Sequence, residues 1–279
     1  MNPAELDAFL RSALAEDLGR GDVTSELTVE PERLGEGNFL AKSPLVVAGT
    51  QAAARVFALV DPQTVVRLER VDGTPLAAGE TLGSVHGRAR ALLAAERLAL
   101  NLLQHLSGVA TLTRAYADAI AGTRARILDT RKTLPGLRAL EKEAVKAGGG
   151  FNHRVRLDDG ILIKDNHIAL AGGLTRAVRR AREGNHYGLR VEVEVGSPGE
   201  AREAMAAGAD SLLLDNMSLD ALRETVALAA GRIPLEASGG VDLTTVRAIA
   251  ETGVDFISVG RITHSAPAAD INLKFRPVP

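Results

Sequence analysis

Val191-Glu192-Val193-Glu194-Val195 alternates valine with glutamate, and Ser197-Pro198-Gly199-Glu200 follows it directly. The alternation is that of a strand with its valines on one face and both glutamates on the other. The Ser-Pro-Gly-Glu segment is a helix start, with proline in the first turn. Ser211-Leu212-Leu213-Leu214-Asp215 comes next, apolar through its centre, as in a strand buried on both faces. Working outward, the same rhythm of short strand and helix appears at 126–129, 161–164, 234–238 and 256–260, making six strands in all. Each of the first five is followed by a helical pattern, and Asp242 stands where it can cap a helix over 243–252. Alternating strands and helices imply a parallel sheet. Six units fall short of the eight of a closed (β/α)₈ barrel, so the expectation is an incomplete α/β barrel.

The region before it is irregular. Leu6, Phe9, Leu10, Ala13 and Leu14 recur at helical spacing over 4–17. Strand patterns follow at 36–42, 44–48, 65–71 and 81–86, with a helix near 51–60. Two Ala/Leu-rich helices are expected next, over 88–106 and 109–121. This mixture suggests a separate α+β domain. In the first long helix, leucines at 92, 93, 98, 100, 102, 103 and 106 occupy more than one face, so wide burial is expected.

Composition removes several classes of function. The 279 residues carry a net charge of −2, without the strongly basic field of a nucleic-acid binder. No apolar run approaches the roughly 18 residues that span a bilayer. The N-terminus lacks the charged-then-apolar pattern of a signal peptide. A cytoplasmic location is therefore expected. There is no cysteine, so disulfides, thiolate metal sites and cysteine nucleophiles are excluded.

In parallel barrels the reactive groups stand at the carboxyl ends of the strands. Those ends carry Asp129-Thr130-Arg131-Lys132, Lys164-Asp165-Asn166-His167, Glu192 and Glu194, Asp215-Asn216, Glu236 then Ser238-Gly239-Gly240, and Gly260. Arg131, Lys132, His153, Arg154 and Lys164 fall in one stretch and can hold a small polyanion. One such charge pair at about 4 Å gives about 4 kcal/mol before desolvation, at an effective dielectric of about 20. Arginine grips carboxylate or phosphate with two parallel bonds, whereas lysine acts as a point charge. Lysine is scarce here, with six in the chain, so its presence at 132 and 164 favours a need for a compact ammonium. Lys142 and Lys146 read instead as a solvated helix face. Glu194 and Asp215 end neighbouring strands and can hold Mg²⁺ beside substrate phosphates. Glu192 shares a face with Glu194, and the alternation does not rank the two. Ser238-Gly239-Gly240 lets backbone N–H groups approach phosphate, with the following helix N-terminus favouring negative charge. On its own, a Gly-Gly pair marks only a turn.

In order, these strand ends resemble the quinolinate phosphoribosyltransferase family. The matching segments include Glu-Asp-Leu-Gly-Arg-Gly-Asp-Val-Thr-Ser (16–25), Asp-Thr-Arg-Lys-Thr (129–133), Gly-Gly-Gly-Phe-Asn-His-Arg (148–154), Leu-Ile-Lys-Asp-Asn-His (162–167), Leu-Asp-Asn-Met (214–217), Glu-Ala-Ser-Gly-Gly (236–240) and Val-Gly-Arg-Ile-Thr-His-Ser (259–265). Ala237 is a small departure, where the family more often has serine. The resemblance implies an N-terminal open α/β sandwich over 1–107, joined by 266–279 returning to it, and an incomplete barrel over 108–265. It implies Mg²⁺-dependent transfer of phosphoribosyl from phosphoribosyl pyrophosphate to quinolinate, with release of CO₂, in NAD biosynthesis. Arg97, Arg131, His153, Arg154 and Lys164 would bind quinolinate. Thr130 would join the substrate-binding set. Lys132, Glu194 and Asp215 would serve the pyrophosphate and its metal. Ser238, Gly239, Gly240 and Gly260 would hold the 5-phosphate. A homodimer is implied, with Arg97 crossing to the partner's site. A related transferase with another acceptor and a non-catalytic anion binder are the alternatives. The density of cations over 131–164 favours a dicarboxylate, and Glu194 with Asp215 favours catalysis.

Overall fold

The computed structural model describes residues 1–278 and separates into two compact units. The first takes in Met1–Arg114, Leu134–Gly149 and the C-terminal residues from Ser265 on. Its opening helix, α1 (Pro3–Leu18), starts in a reciprocal cap: Asn2 Oδ1 accepts the Glu5 N–H at 2.9 Å, and the Glu5 carboxylate accepts the Asn2 N–H at 3.0 Å. It buries Leu6, Leu10 and Leu14, as the spacing requires. A short helix not expected from the sequence, α2 (Val23–Thr28), is capped by Asp22. The sheet is built on β1 (Leu34–Ala41), which pairs antiparallel with both β5 (Thr81–Arg88) and the C-terminal strand Ile271–Pro277. On the far side of β5 lies β3 (Val65–Leu68). A small antiparallel pair joins β2 (Leu45–Val46) to β4 (Pro75–Leu76). Against the sheet packs α3 (Thr50–Val60), where Phe57 meets Phe39 of β1 edge-on, with ring centroids 6.1 Å apart.

The two helices expected over 88–121 are one, α4 (Ala89–Ala119). Gly108 costs a helix about 1 kcal/mol, too little to break one buried along so much of its length. Next in this unit is α5 (Arg138–Ala147), whose Glu141, Lys142, Ala144 and Val145 all turn inward. Lys142 is therefore not on a solvated face: it is 2% exposed. Its neighbour in sequence, Glu141, is also buried, and its carboxylate reaches His105 Nε2 at 2.8 Å.

The second unit contains six parallel strands: β6 (Arg126–Leu128), β7 (Ile161–Ile163), β8 (Val191–Val195), β9 (Ser211–Asp215), β10 (Leu235–Ser238) and β11 (Phe256–Ser258). Their order is β6-β11-β10-β9-β8-β7. The ring stays open between β6 and β7, with a single bridge from Leu128 to Phe151 at that edge. This is the incomplete barrel expected. Between the strands run α6 (Asp165–Ala171), α7 (Leu174–Gly184), α8 (Pro198–Ala207), α9 (Leu219–Ala229) and α10 (Val246–Ala250), followed by the short α11 (Arg261–His264). Ser197 caps α8 by accepting the Glu200 N–H. The helix expected over 243–252 is shorter, because Asp242 Oδ1 takes the N–H groups of Thr244 and Thr245 into a turn ahead of α10. Among the described residues, no helix is long and apolar enough to cross a membrane.

Candidate active site

The carboxyl ends of the barrel strands carry two groupings, one at the rim and one deeper. At the rim, Lys164 follows β7 and places Nζ 2.6 Å from Glu194 Oε2 on β8. One strand further, Asp215 ends β9 and accepts a bond from the Asn216 side-chain amide at 2.7 Å. Asn216 has a left-handed φ of 52°, and its N–H donates to the Ser238 carbonyl at the end of β10, 2.9 Å away. Gly239 and Gly240 follow, both left-handed, with φ of 92° and 61°. A Cβ on Gly239 would lie 2.2 Å from Asn216 Oδ1, so only glycine fits beside that side chain. The helix dipole expected behind this loop is missing: α10 begins at Val246, six residues beyond Gly240, and is only five residues long. Any anion held here depends on the loop itself.

Past β6, Thr130 Oγ1 accepts the Lys132 N–H at 3.0 Å, which folds the turn and leaves the Lys132 side chain exposed. The Lys132 carbonyl accepts the Thr263 hydroxyl at 2.8 Å. Gly260 packs against Lys132, whose Cδ would stand 3.1 Å from a Cβ on that glycine. Lys132 and Gly260, from the first and last strands, are thus neighbours across β6 and β11.

The deeper grouping lies on Asp129, fully buried, whose Oδ1 accepts the His153 N–H at 2.8 Å. His153 Nε2 is 2.9 Å from Glu192 Oε2 and 3.6 Å from Glu236 Oε2. Burial first, then the Glu192 charge, push the Glu236 carboxyl up to about 7. Arg154 donates from Nη1 to the Gly160 carbonyl at 2.7 Å. Burial and then the charge of Arg131 press the Arg154 guanidinium below its usual value, while Asp159 and Glu192 pull it back. Two guanidiniums brought within each other's field form a place where an anion is welcome. His153, Arg154, Glu192 and Glu236 line a cavity of about 380 Å³ that reaches Arg190 and Pro234, beside the amino ends of β8 and β10.

The unranked pair is thereby separated: Glu194 faces Lys164 at the rim, and Glu192 faces His153 in the interior. Glu236 was visible in the sequence only as one more acid near a strand end. Its partnership with Glu192 follows from strand order, which places β9 between their strands and which no local pattern reports. Arg97 belongs to the first unit, on α4, and is exposed there rather than buried. It lies in an exposed line of Leu93, Arg97 and Asn101, four residues apart, so the wide burial expected of this helix fails along that stripe.

Residues 22–107 match the family described as quinolinate phosphoribosyl transferase, N-terminal domain, and residues 109–274 match its C-terminal domain. The chain is 43% identical over 273 residues to a probable nicotinate-nucleotide pyrophosphorylase [carboxylating] of Bacillus subtilis (strain 168), covering 98% of this chain and 94% of the relative. It is 42% identical to the protein of the same description from Synechocystis sp., over 96% of this chain and 92% of that one. Among solved structures, NadC from Streptococcus pyogenes superposes with a TM-score of 0.96 at 40% identity, covering 100% of this chain and 99% of that one.

Proposed function

The chain belongs to the quinolinate phosphoribosyltransferase family, and from that premise we propose that it transfers phosphoribosyl from phosphoribosyl pyrophosphate to quinolinate. The products are nicotinate mononucleotide, pyrophosphate and CO₂, and the reaction serves NAD biosynthesis. The observation that carries this reading is the joining of Lys164 to Glu194 at the rim, together with the positive charge of Arg131 acting on the half-buried Arg154. A dicarboxylate needs such a cationic cage, and the rim supplies carboxylates and ammonium groups for a pyrophosphate.

Arg131, Arg154 and Lys164 bind the two carboxylates of quinolinate, with His153 bracing Arg154. The pyridine nitrogen then attacks the anomeric carbon as its bond to pyrophosphate breaks. Lys132 offsets charge on the departing oxygens, while the rim carboxylates stabilise positive charge on the ribose. Glu194 and Asp215 offer hard oxygen ligands on neighbouring strands, a donor type that suits Mg²⁺, and would hold it. When bound, that ion supplies neutralisation of the leaving group. Thr130, Ser238, Gly239, Gly240 and Gly260 border the place for the 5-phosphate. Once the nitrogen is alkylated, the ring cation stabilises the carbanion left by CO₂, which takes up a proton, ultimately from water, to give nicotinate mononucleotide. No nucleophilic side chain is required; the residues position the reactants and exclude water.

A homodimer is part of the proposal. Two features of α4 support it: the exposed Leu93–Arg97–Asn101 line, and an apolar cavity of about 210 Å³ bordered by Leu34, Leu92, Leu93 and Phe275. A cytoplasmic setting is part of it also. The test is a product assay with quinolinate and nicotinate side by side, each with phosphoribosyl pyrophosphate and Mg²⁺. Nicotinate mononucleotide should form from quinolinate. Formation from nicotinate alone would replace this reading with the non-decarboxylating one.

A further inference from the structure

His153 is held at three points. Its backbone N–H donates to Asp129, its Nδ1 accepts the Arg154 backbone N–H at 2.7 Å, and its Nε2 lies against Glu192 and Glu236. A ring nitrogen that accepts an N–H carries no proton of its own. The imidazole proton therefore sits on Nε2 and is donated to Glu192 Oε2. The ring is fixed in tautomer and in orientation by partners on both sides.

The three side chains could also be read as a metal site, since their ligand atoms all lie within 4.8 Å of one another. The tautomer argues otherwise. A metal on Nε2 would require the ring proton on Nδ1, where the Arg154 N–H already points. The same contact gives the cluster another task. Arg154 carries one of the two guanidiniums of the acceptor cage, and its backbone is tied to the His153 ring. If the ring turned, the Arg154 backbone would lose that tie, and its side chain would keep only the bond from Nη1 to the Gly160 carbonyl. Glu192 also acts on Arg154 through space, its negative charge favouring the guanidinium against burial.

We propose that Glu192 and Glu236 are positioning residues for the acceptor. They hold His153 as the Nε2–H tautomer, and through it they set the Arg154 backbone before quinolinate arrives. The proposal rests on the reading above that Arg154 binds quinolinate. Its energetic logic is preorganisation: a cage already ordered loses less freedom on binding.

The first test needs no variant. Nitrogen-15 NMR of the His153 ring should report a proton on Nε2 and none on Nδ1. The second uses isosteric changes. Glu192→Gln should raise KM for quinolinate about tenfold, the scale of one charged hydrogen bond, and leave KM for phosphoribosyl pyrophosphate nearly unchanged. Glu236→Gln should act in the same direction, more weakly, because its oxygen is further from the ring. The third is a double-mutant cycle. His153→Asn keeps an acceptor near the Nδ1 position but cannot reach the glutamates. In that background, Glu192→Gln should add little. An Nδ1–H signal would overturn the proposal. So would equal rises in both KM values, or full additivity in the cycle. Failure of the unmodified enzyme to use quinolinate at all would instead defeat the proposed function, so the two failures are distinguishable.

Discussion

Gly239 and Asn216 occupy one space: a Cβ on the glycine would come within 2.2 Å of the asparagine Oδ1, and both residues have left-handed backbones. Adjacent strand ends are locked together there, since the Asn216 N–H also holds the Ser238 carbonyl. Gly239→Ala must displace Asn216 or distort the loop, a strain of about 1–3 kcal/mol. The expected result is a KM for phosphoribosyl pyrophosphate raised about tenfold or more, on the same energy scale, with KM for quinolinate changed far less. Steady-state kinetics with each substrate varied in turn will decide. An unchanged KM for phosphoribosyl pyrophosphate would remove this loop from the phosphate site.

Arg154 and Lys164 should separate in their effects. Arg154→Ala is expected to weaken quinolinate binding by about 1–3 kcal/mol, the loss of a charged hydrogen bond in a buried site. Phosphoribosyl pyrophosphate binding should suffer less. Lys164→Ala should weaken quinolinate similarly but also disturb the pyrophosphate side, because its ammonium is paired with Glu194. Calorimetric titration of each variant with each ligand measures this. If Arg154→Ala affected both ligands equally, the cage would have been assigned to the wrong substrate.

Glu236 makes stability depend on pH. Its folded value of about 7 lies above the ordinary 4.5, with Glu192, His153 and Asp129 the charged groups around it. Such an acid binds its proton more tightly when folded. Its contribution is fully present below pH 4.5 and is lost as pH rises through about 7. The span corresponds to about 3 kcal/mol at most. Glu236→Gln should flatten this part of the profile, as read by denaturant unfolding at pH 5 to 8. Parallel profiles for the two proteins would show that the carboxyl is ionised throughout.

Arg97 is exposed in its own unit, which suits a residue that serves a partner chain. Mixing inactive Arg97→Ala chains with inactive Lys132→Ala chains should therefore restore activity. A mixed dimer would hold one site with both defects and one with neither. If subunits exchange and no activity returns, Arg97 acts within its own chain or not at all.

The barrel was readable because its strands are short, apolar and punctuated. Ser211–Asp215 and Val191–Val195 stand where alternation and apolar runs place them. The rim residues were readable for the same reason, since each stands within the last two residues of a strand or just past its end. Three features were hidden. The continuous α4 was missed because Ser107-Gly108 looks like a break until burial outweighs it. The burial of Lys142 on α5 is set by tertiary packing, which helical periodicity does not reveal. The link between His153, Glu192 and Glu236 joins a loop to two strands separated by a third, and only strand order brings them together.

The central claim is that ring-nitrogen ribosylation precedes and drives decarboxylation in one site. Quinolinate labelled in its 2-carboxylate tests it directly. With phosphoribosyl pyrophosphate and Mg²⁺ present, labelled CO₂ should appear in equal amount to pyrophosphate, and its release should stop when either is withheld or a chelator is added. Labelled CO₂ released without phosphoribosyl pyrophosphate, or pyrophosphate released with the label retained in the nucleotide, would contradict the account.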